Sequence, residues 1–279
     1  MSSNLVFSGN LCSGKGASVN TKPLLSLIEH AQFQLALRIA EVRQVLKYGG
    51  SDRTPFQTKL ASDLSKGPIT TERSVFKPIK CHAKEGTFFC ASMDISIPDA
   101  VRELLAYQID LSFGFGLVPP VIFRNIPNYG TGSLQAWVDA PSAGSLRRNV
   151  GYDYHKNLNN PWLHRLVAFD VLIGNVDRHA GNWLVGNDLR VYSIDNGYAF
   201  PKRNDCRNIH SLALSGLIGQ PVSEDTKELI MRIKEDKLIS LMSSYGFKYQ
   251  EPLGVIRRLR YLKNLKQWEP VGRLQLIAK

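Results

Sequence analysis

"NVDRHAGNW", residues 175–183, is the stretch on which the reading of this chain turns. It sets Asp177, Arg178, His179 and Asn182 between two apolar runs, PWLHRLVAFDVLIG (161–174) and WLV (183–185). In the first run Trp162, Leu166, Phe169 and Ile173 recur at helical spacing, with Pro161 to open the helix and Gly174 to close it. After the loop, WLV, a GND turn (186–188) and LRVYSI (189–194) predict a β-hairpin. A further carboxylate, Asp195, stands at the end of that hairpin, followed by NGYAF. Taken singly, Asp177 and Asn182 are ordinary turn residues capping a hairpin.

The ordered set has a chemical logic of its own. Phosphoryl transfer needs a base or hydroxyl-orienting group, oxygen ligands for Mg²⁺, and cations for the phosphates. Asp177 suits the first role, and Asn182 and Asp195 suit the metal, because the hairpin brings both to one rim. His179 reads either as a supporting or catalytic histidine or as a buried, hydrogen-bonded one. Arg178 reads as a brace for the loop.

The preceding half supplies what such a site lacks. Residues 22–40 show apolar positions at helical spacing, with Leu24, Leu27, Ile28, Ala31, Leu35 and Ile39 on one predicted face. Residues 41–60 alternate as a strand, a glycine turn at Gly49, Gly50 and Ser51, and a second strand. Backbone N–H groups of that turn can approach phosphates, or it is a simple hairpin turn. A strand over 73–79 carries Lys77, whose ammonium can reach phosphate oxygens. The helix predicted over 98–116 carries Glu103, either an ion-pair partner for Lys77 or a solvated residue. Strands at 117–126 and 132–138 follow, the latter with Gln135, Trp137 and Val138 running into a linker where adenine can bond the backbone. From about 205 onward the pattern is mostly helical.

Composition sets the outer limits. A 43% hydrophobic and 21% charged chain of 279 residues is globular and can bury an ample core. No apolar run approaches a membrane span, and Cys12, Cys81, Cys90 and Cys206 are scattered without a CxxC pair. The expected setting is therefore cytoplasmic, with reduced thiols. The net charge of +11 favours anionic partners. Basic residues crowd 257–268 beside Ile256, Leu259, Tyr261, Leu262 and Leu265, which predicts a helix with one solvated basic face. GNLCSGKG (9–16) imitates a phosphate loop, but Gly16 replaces the magnesium-binding hydroxyl and a proline soon follows.

Several motifs together resemble the HipA-like and phosphatidylinositol 3/4-kinase-like branch of the kinase superfamily. DRHAGN (177–182) is similar to its D-R-H-x-x-N catalytic loop, and IDNGYAFP (194–201) to its I-D-x-G-x-A-F segment. VFKP (75–78), RELLAYQID (102–110), LVPPV (117–121) and GSLQAWV (132–138) resemble type II phosphatidylinositol 4-kinases in order and wording. GGSDRTPF (49–56) is closer to small HipA-like domains.

The resemblance implies an α+β, bilobal protein-kinase-like fold with an antiparallel-sheet N-lobe and a mostly helical C-lobe. The resemblance covers roughly residues 42–201, and the expected division of the chain is an N-terminal extension with an amphipathic helix (1–41), a kinase-like N-lobe (42–140) and a kinase-like C-lobe (141–279). It makes Asp177 the catalytic aspartate with His179 in support, Asn182 and Asp195 the magnesium ligands, and Lys77 the phosphate-binding lysine. ATP and Mg²⁺ are the implied substrate and cofactor. The expected activity is transfer of the γ-phosphate to a protein Ser/Thr hydroxyl. A phosphoinositide acceptor is the second reading, for which anionic lipid would meet the helix at 256–265. A module that holds nucleotide or nucleic acid without turnover is the third.

Overall fold

The computed structural model describes residues 25–47, 56–62, 64–79, 97–151, 158–201, 209 and 211–270. The four cysteines and the phosphate-loop mimic lie outside them. Among the described residues, no helix is long and apolar enough to cross a membrane.

The first element of the described residues is helix α1 (Leu27–Ile39), closed at its start by a reciprocal capping box between Ser26 and Glu29. An antiparallel sheet follows, built from β1 (Val42–Lys47), β2 (Phe56–Leu60), β3 (Ser65–Lys66), β4 (Ile69–Pro78), β5 (Val121–Ile126) and β6 (Gly130–Val138). The strand order is β1-β2-β4-β6-β5, with β3 paired to β4, and helix α2 (Asp99–Phe113) connects β4 to β5.

Period-two alternation decides what each face of this sheet carries. Phe76, Leu134, Ala136 and Val138 point to a core shared with Phe33 and Leu37 of α1. The alternate residues of β4 and β6 that face each other across the ladder include Lys77 opposite Ser133 and Val75 opposite Gln135. Pro78 ends the β4 ladder opposite Gly132. A Cβ on Gly132 would fall 2.1 Å from the Lys77 carbonyl oxygen, so only glycine lets the backbones meet here.

The chain leaves the sheet through 139–142, where Asp139 N–H donates to Pro68 O at 2.8 Å and Val185 N–H donates to Pro141 O at 3.0 Å. Helices then dominate: α3 (Ala143–Val150), α4 (Pro161–Ile173), α5 (Leu212–Leu217), α6 (Glu224–Arg232), α7 (Glu235–Ser244) and α8 (Gln250–Asn264). Among the described residues, the hairpin of β7 (Trp183–Val185) and β8 (Val191–Ser193) is the one strand pair that interrupts them. Helix α4 is buried from Trp162 to Ile173 and is the axis of this second core. The architecture is thus α+β and bilobal.

Helix α3 is capped by Ser142 and ended by Gly151 in the left-handed region. Two expectations need correction. Helix α8 has the solvated basic face that the sequence predicts, with Arg257 and Arg260 exposed, but Ile256, Leu259, Tyr261 and Leu262 are buried, so these residues are not presented to a bilayer. Finally, the face predicted to anchor α1 points outward. Leu27, Ile28, Ala31, Leu35 and Ile39 are exposed, whereas His30, Phe33 and Leu37 are buried. Both sides of this helix are apolar, and the aromatic ring of Phe33 decides which side enters the core.

That inversion yields a direct prediction. Phe33→Ala should cost about 3–5 kcal/mol of unfolding free energy in urea titrations, while Leu35→Ala should stay within about 0.5 kcal/mol of wild type. The reverse ranking would contradict the observed packing.

Candidate active site

Three titratable groups from distant parts of the chain meet where the sheet faces the helical lobe. Lys77 Nζ donates to Glu103 Oε1 at 2.5 Å and to Asp195 Oδ1 at 2.7 Å. Burial by itself would lower the Lys77 pKa, but the charges of Asp195 and Glu103 outweigh it and hold the ammonium protonated. Burial pushes Glu103 up against the pull of Lys77, whereas the Lys77 charge holds Asp195 below the usual carboxylate range. Glu103 is sealed in, while the Asp195 side chain is 45% exposed. Asp195 is thus the carboxylate that a cation from solvent can reach.

Helix α2 fixes Glu103 through several attachments. Arg102 donates from Nη1 to the carbonyls of Ala199 and Phe200, both at 2.7 Å, and its guanidinium lies 5.5 Å from the Phe247 ring centroid. Two turns further on, Asp110 accepts the Leu117 N–H at 2.8 Å, and Leu117 O accepts the Ser193 N–H at 2.9 Å. The helix that holds Glu103 is therefore tied to the strand and the loop on either side of Asp195.

Arg178 organises the catalytic-loop candidate. Its guanidinium is fully buried and pairs with Asp170 of α4 at 3.0 Å. It also donates to the carbonyls of Asn182 and Ile194, to Ser193 Oγ at 2.7 Å and to Asn196 Oδ1. Ser211 Oγ donates to the other Asp170 oxygen at 2.9 Å. One side chain so binds α4, the 177–182 loop and residues 193–196, while the start of α5 joins through Ser211 on Asp170 and through Leu212 N–H on the Arg178 carbonyl. Asp195 follows Ile194 with φ 57°, a left-handed conformation that is costly for a residue with a Cβ. The Arg178 bonds on either side of it, at Ile194 and Asn196, hold the chain there.

Within the loop, Asp177 N–H donates to Asn175 Oδ1 at 2.9 Å, and Asn182 Nδ2 donates to Asp177 O at 2.9 Å. The second bond orients the Asn182 amide and leaves its oxygen as the atom for a cation. Ile194 N–H donates to Asn182 O at 3.1 Å, so Asn182 and the residue before Asp195 are held together across the hairpin. His179 is exposed, and its Nδ1 accepts the Gly181 N–H at 3.0 Å. The alternative of a buried histidine is thereby overturned: the ring folds back on its own loop at the surface.

Of the other sequence candidates, Gln135 is buried on β6, and its Nε2 has no hydrogen-bond partner among the described residues. Trp137 stacks beneath Arg73 at 5.1 Å, and Val138 is buried in the sheet core opposite Ile69. Gly49, Gly50 and Ser51 lie outside the described residues. Arg102, Asn196 and Ser211 escaped the sequence reading because their partners lie far along the chain, whereas Asp110 and Asp170 reach partners just beyond the ends of their own helices.

The donor set suits a nucleotide with a hard divalent cation. A cation taking the Asp195 carboxylate and the Asn182 oxygen draws its remaining ligands from water and phosphate, as Mg²⁺ does. Among the described residues there is no group of three or more His, Cys, Asp or Glu side chains that could hold a metal unaided. The Gln135 Nε2, on the sheet face shared with Lys77, is a buried donor without a partner among the described residues.

The family model "Phosphatidylinositol 3- and 4-kinase" matches residues 161–256. Protein Rv2133c of Mycobacterium tuberculosis is 31% identical over 160 residues, covering 47% of this chain and 56% of that protein. Phosphatidylinositol 4-kinase gamma 8 of Arabidopsis thaliana is 39% identical over 94 residues, which cover 30% of this chain and 17% of the plant protein. The chain thus spans about half of the first relative and much less of the second. Among solved structures, the Golgi casein kinase with Mn/ADP bound superposes with a TM-score of 0.56 at 15% identity, covering 87% of this chain and 77% of that one. The chain has the fold of the kinase superfamily. Within it, the segment that carries the catalytic-loop candidate is similar to the phosphatidylinositol 3- and 4-kinase branch.

The α2 anchor makes a pH prediction. Burial pushes the Asp110 carboxyl up to about 7, against the N–H groups of Leu117 and Val118 and the charge of Arg165. A carboxyl whose folded pKa lies above its unfolded value favours the fold in acid and loses that contribution as pH rises toward its folded pKa. The melting temperature of Asp110→Asn relative to wild type should therefore climb as pH rises from about 4 to 7 and then level off. A difference that stays constant across the range would contradict the shift.

Proposed function

We propose that the chain is a Mg-ATP-dependent phosphotransferase that moves the γ-phosphate to an alcohol, with a protein Ser/Thr hydroxyl as acceptor. The observation that carries the reading is the Lys77 ammonium held between Glu103 and Asp195, facing a loop that Arg178 locks in place. The lobes on either side, 42–140 and 141–279, would close on the nucleotide from above and below.

Each residue then has a physical task. Asp177 accepts the proton of the attacking hydroxyl as its oxygen bonds to the γ-phosphorus, while the bond to the bridging oxygen breaks and ADP leaves with the electron pair. Lys77 meets phosphate oxygens as a point charge, and Glu103 keeps it aimed. Asn182 and Asp195 would hold Mg²⁺, which when bound supplies charge neutralisation at the phosphates. His179 Nε2, at the open side of the loop, is placed to assist an acceptor or a phosphate. Gln135 would offer its amide to the base.

The protein acceptor is favoured because the 256–265 helix, the expected lipid-facing surface, has its apolar residues buried. The phosphoinositide reading is favoured by the family model over residues 161–256 and by the name of the Arabidopsis relative. Transfer of labelled γ-phosphate to casein, to the chain itself and to phosphatidylinositol vesicles separates the two. Wild type should label protein, and Asp177→Asn should lower transfer by about 10²–10⁴-fold with folding intact. Equal transfer by wild type and Asp177→Asn would remove Asp177 from the chemistry, and labelling of lipid alone would reassign the acceptor.

A further inference from the structure

Helix α1 carries more apolar surface than the fold consumes. Its inner side is spent on the sheet, with Phe33 and Leu37 in the core and His30 Nδ1 hydrogen-bonded to the Tyr107 hydroxyl at 3.0 Å. Its outer side presents Leu27 at 72% exposure, Ile28 at 73%, Leu35 at 56% and Ile39 at 69%. With exposed Ala31 between them, these residues form one stripe at the i, i+3, i+4 spacing of a helix face.

The helix cannot roll to hide this stripe. Arg124 of β5 donates to Leu37 O at 2.7 Å and to Ala40 O at 2.6 Å, which clamps its C-terminal end. At the other end the Ser26–Glu29 box caps it, and Lys66 pairs with Glu29 at 3.1 Å. The stripe is therefore a standing feature of the folded protein, pre-ordered before any partner arrives.

Its dimensions and charge select the partner. Thirteen residues at 1.5 Å per residue make a strip about 20 Å long and one helix face wide. That is far short of the roughly 800 Å² per partner of a stable protein–protein interface. A bilayer needs no matching pocket and takes up a narrow apolar face lying in its plane. The nearest exposed charges in the chain carry a basic excess that suits an anionic leaflet: Arg38 follows Leu35 by three residues on α1, Glu41 and Arg43 come just past the helix end, and Glu29 is already paired with Lys66. The chain as a whole carries +11.

We propose that α1 seats this protein on anionic membrane surfaces through Leu27, Ile28, Leu35 and Ile39. Because α1 covers the sheet face that carries Phe76 and Leu134, while neighbouring Lys77 and Ser133 belong to the other face, the contact is an anchor and not an acceptor site. It holds whether the acceptor is a protein or a lipid.

The test is cosedimentation of the full chain with phosphatidylcholine vesicles, with and without about 30% phosphatidylserine. Wild type should pellet with the anionic vesicles, and less so as salt rises. The variant L27Q/I28Q/L35Q/I39Q, with its melting temperature checked for intact folding, should lose about tenfold or more in partitioning. R38E/R43E should weaken binding to anionic vesicles and leave the weak binding to neutral ones unchanged. Wild-type binding by the four-site variant, or no vesicle binding by wild type, would overturn the proposal. So would light scattering that shows a wild-type dimer turned monomeric by the four-site variant without vesicle binding, since the stripe's occupant is then a second copy.

Discussion

A guanidinium with no access to water must be met by acceptors on every side, because leaving it unpaired would cost several kcal/mol. Arg178 meets that demand with a carboxylate, two backbone carbonyls, a hydroxyl and a side-chain amide, drawn from three separate segments. The planar five-donor fork of arginine can bond in so many directions at once, which the point charge of lysine cannot. What this secures is geometric: Asn182 and Asp195, thirteen residues apart, cannot drift relative to each other while Arg178 holds the carbonyls of Asn182 and Ile194. The left-handed backbone at Asp195 persists because these bonds leave it no relaxed alternative.

A second constraint acts across the lobes. Lys77 is shared by a sealed carboxylate and an open one, so binding a cation at Asp195 would compete with the lysine for that carboxylate while Glu103 keeps its own hold. Helix α2 transmits this arrangement, since Arg102, Glu103 and Asp110 on one helix reach the loop after Asp195, the lysine strand and the segment that leads to β5. A shift of α2 would move Glu103 and loosen the segment after Asp195 together. The electrostatics of the site and the packing of the lobes are in this sense a single problem.

Much of this was legible from residue order alone. The buried helix, polar loop, hairpin and terminal carboxylate of 161–195 follow from periodicity and turn residues, because each is a local pattern. The strand of Lys77 and the helix of Glu103 were likewise visible, though their pairing was only an expectation until distance could be measured. What escaped was non-local or ambiguous in period. Arg178 looked like a brace, but its partners Ser193, Asn196 and Asp170 carry no mark of the role. Helix α1 is apolar on two sides, and hydrophobic periodicity cannot tell a core face from a docking face when both qualify. The basic 257–268 stretch was legible as a helix with a solvated basic face, Arg257 and Arg260 being exposed, but not the inward turn of Arg258, whose Nε bonds Leu172 O.

The central claim is that Asp195 and Asn182 form a cation site that works only together with a nucleotide held by Lys77. Calorimetric titration with a non-hydrolysable ATP analogue, with and without Mg²⁺, on wild type and Asp195→Asn, addresses it most directly. The account predicts that Mg²⁺ tightens analogue binding to wild type by about tenfold or more, and that this gain disappears in Asp195→Asn while metal-free binding persists. Binding that ignores Mg²⁺ in wild type, or an undiminished Mg²⁺ effect in the variant, would contradict it.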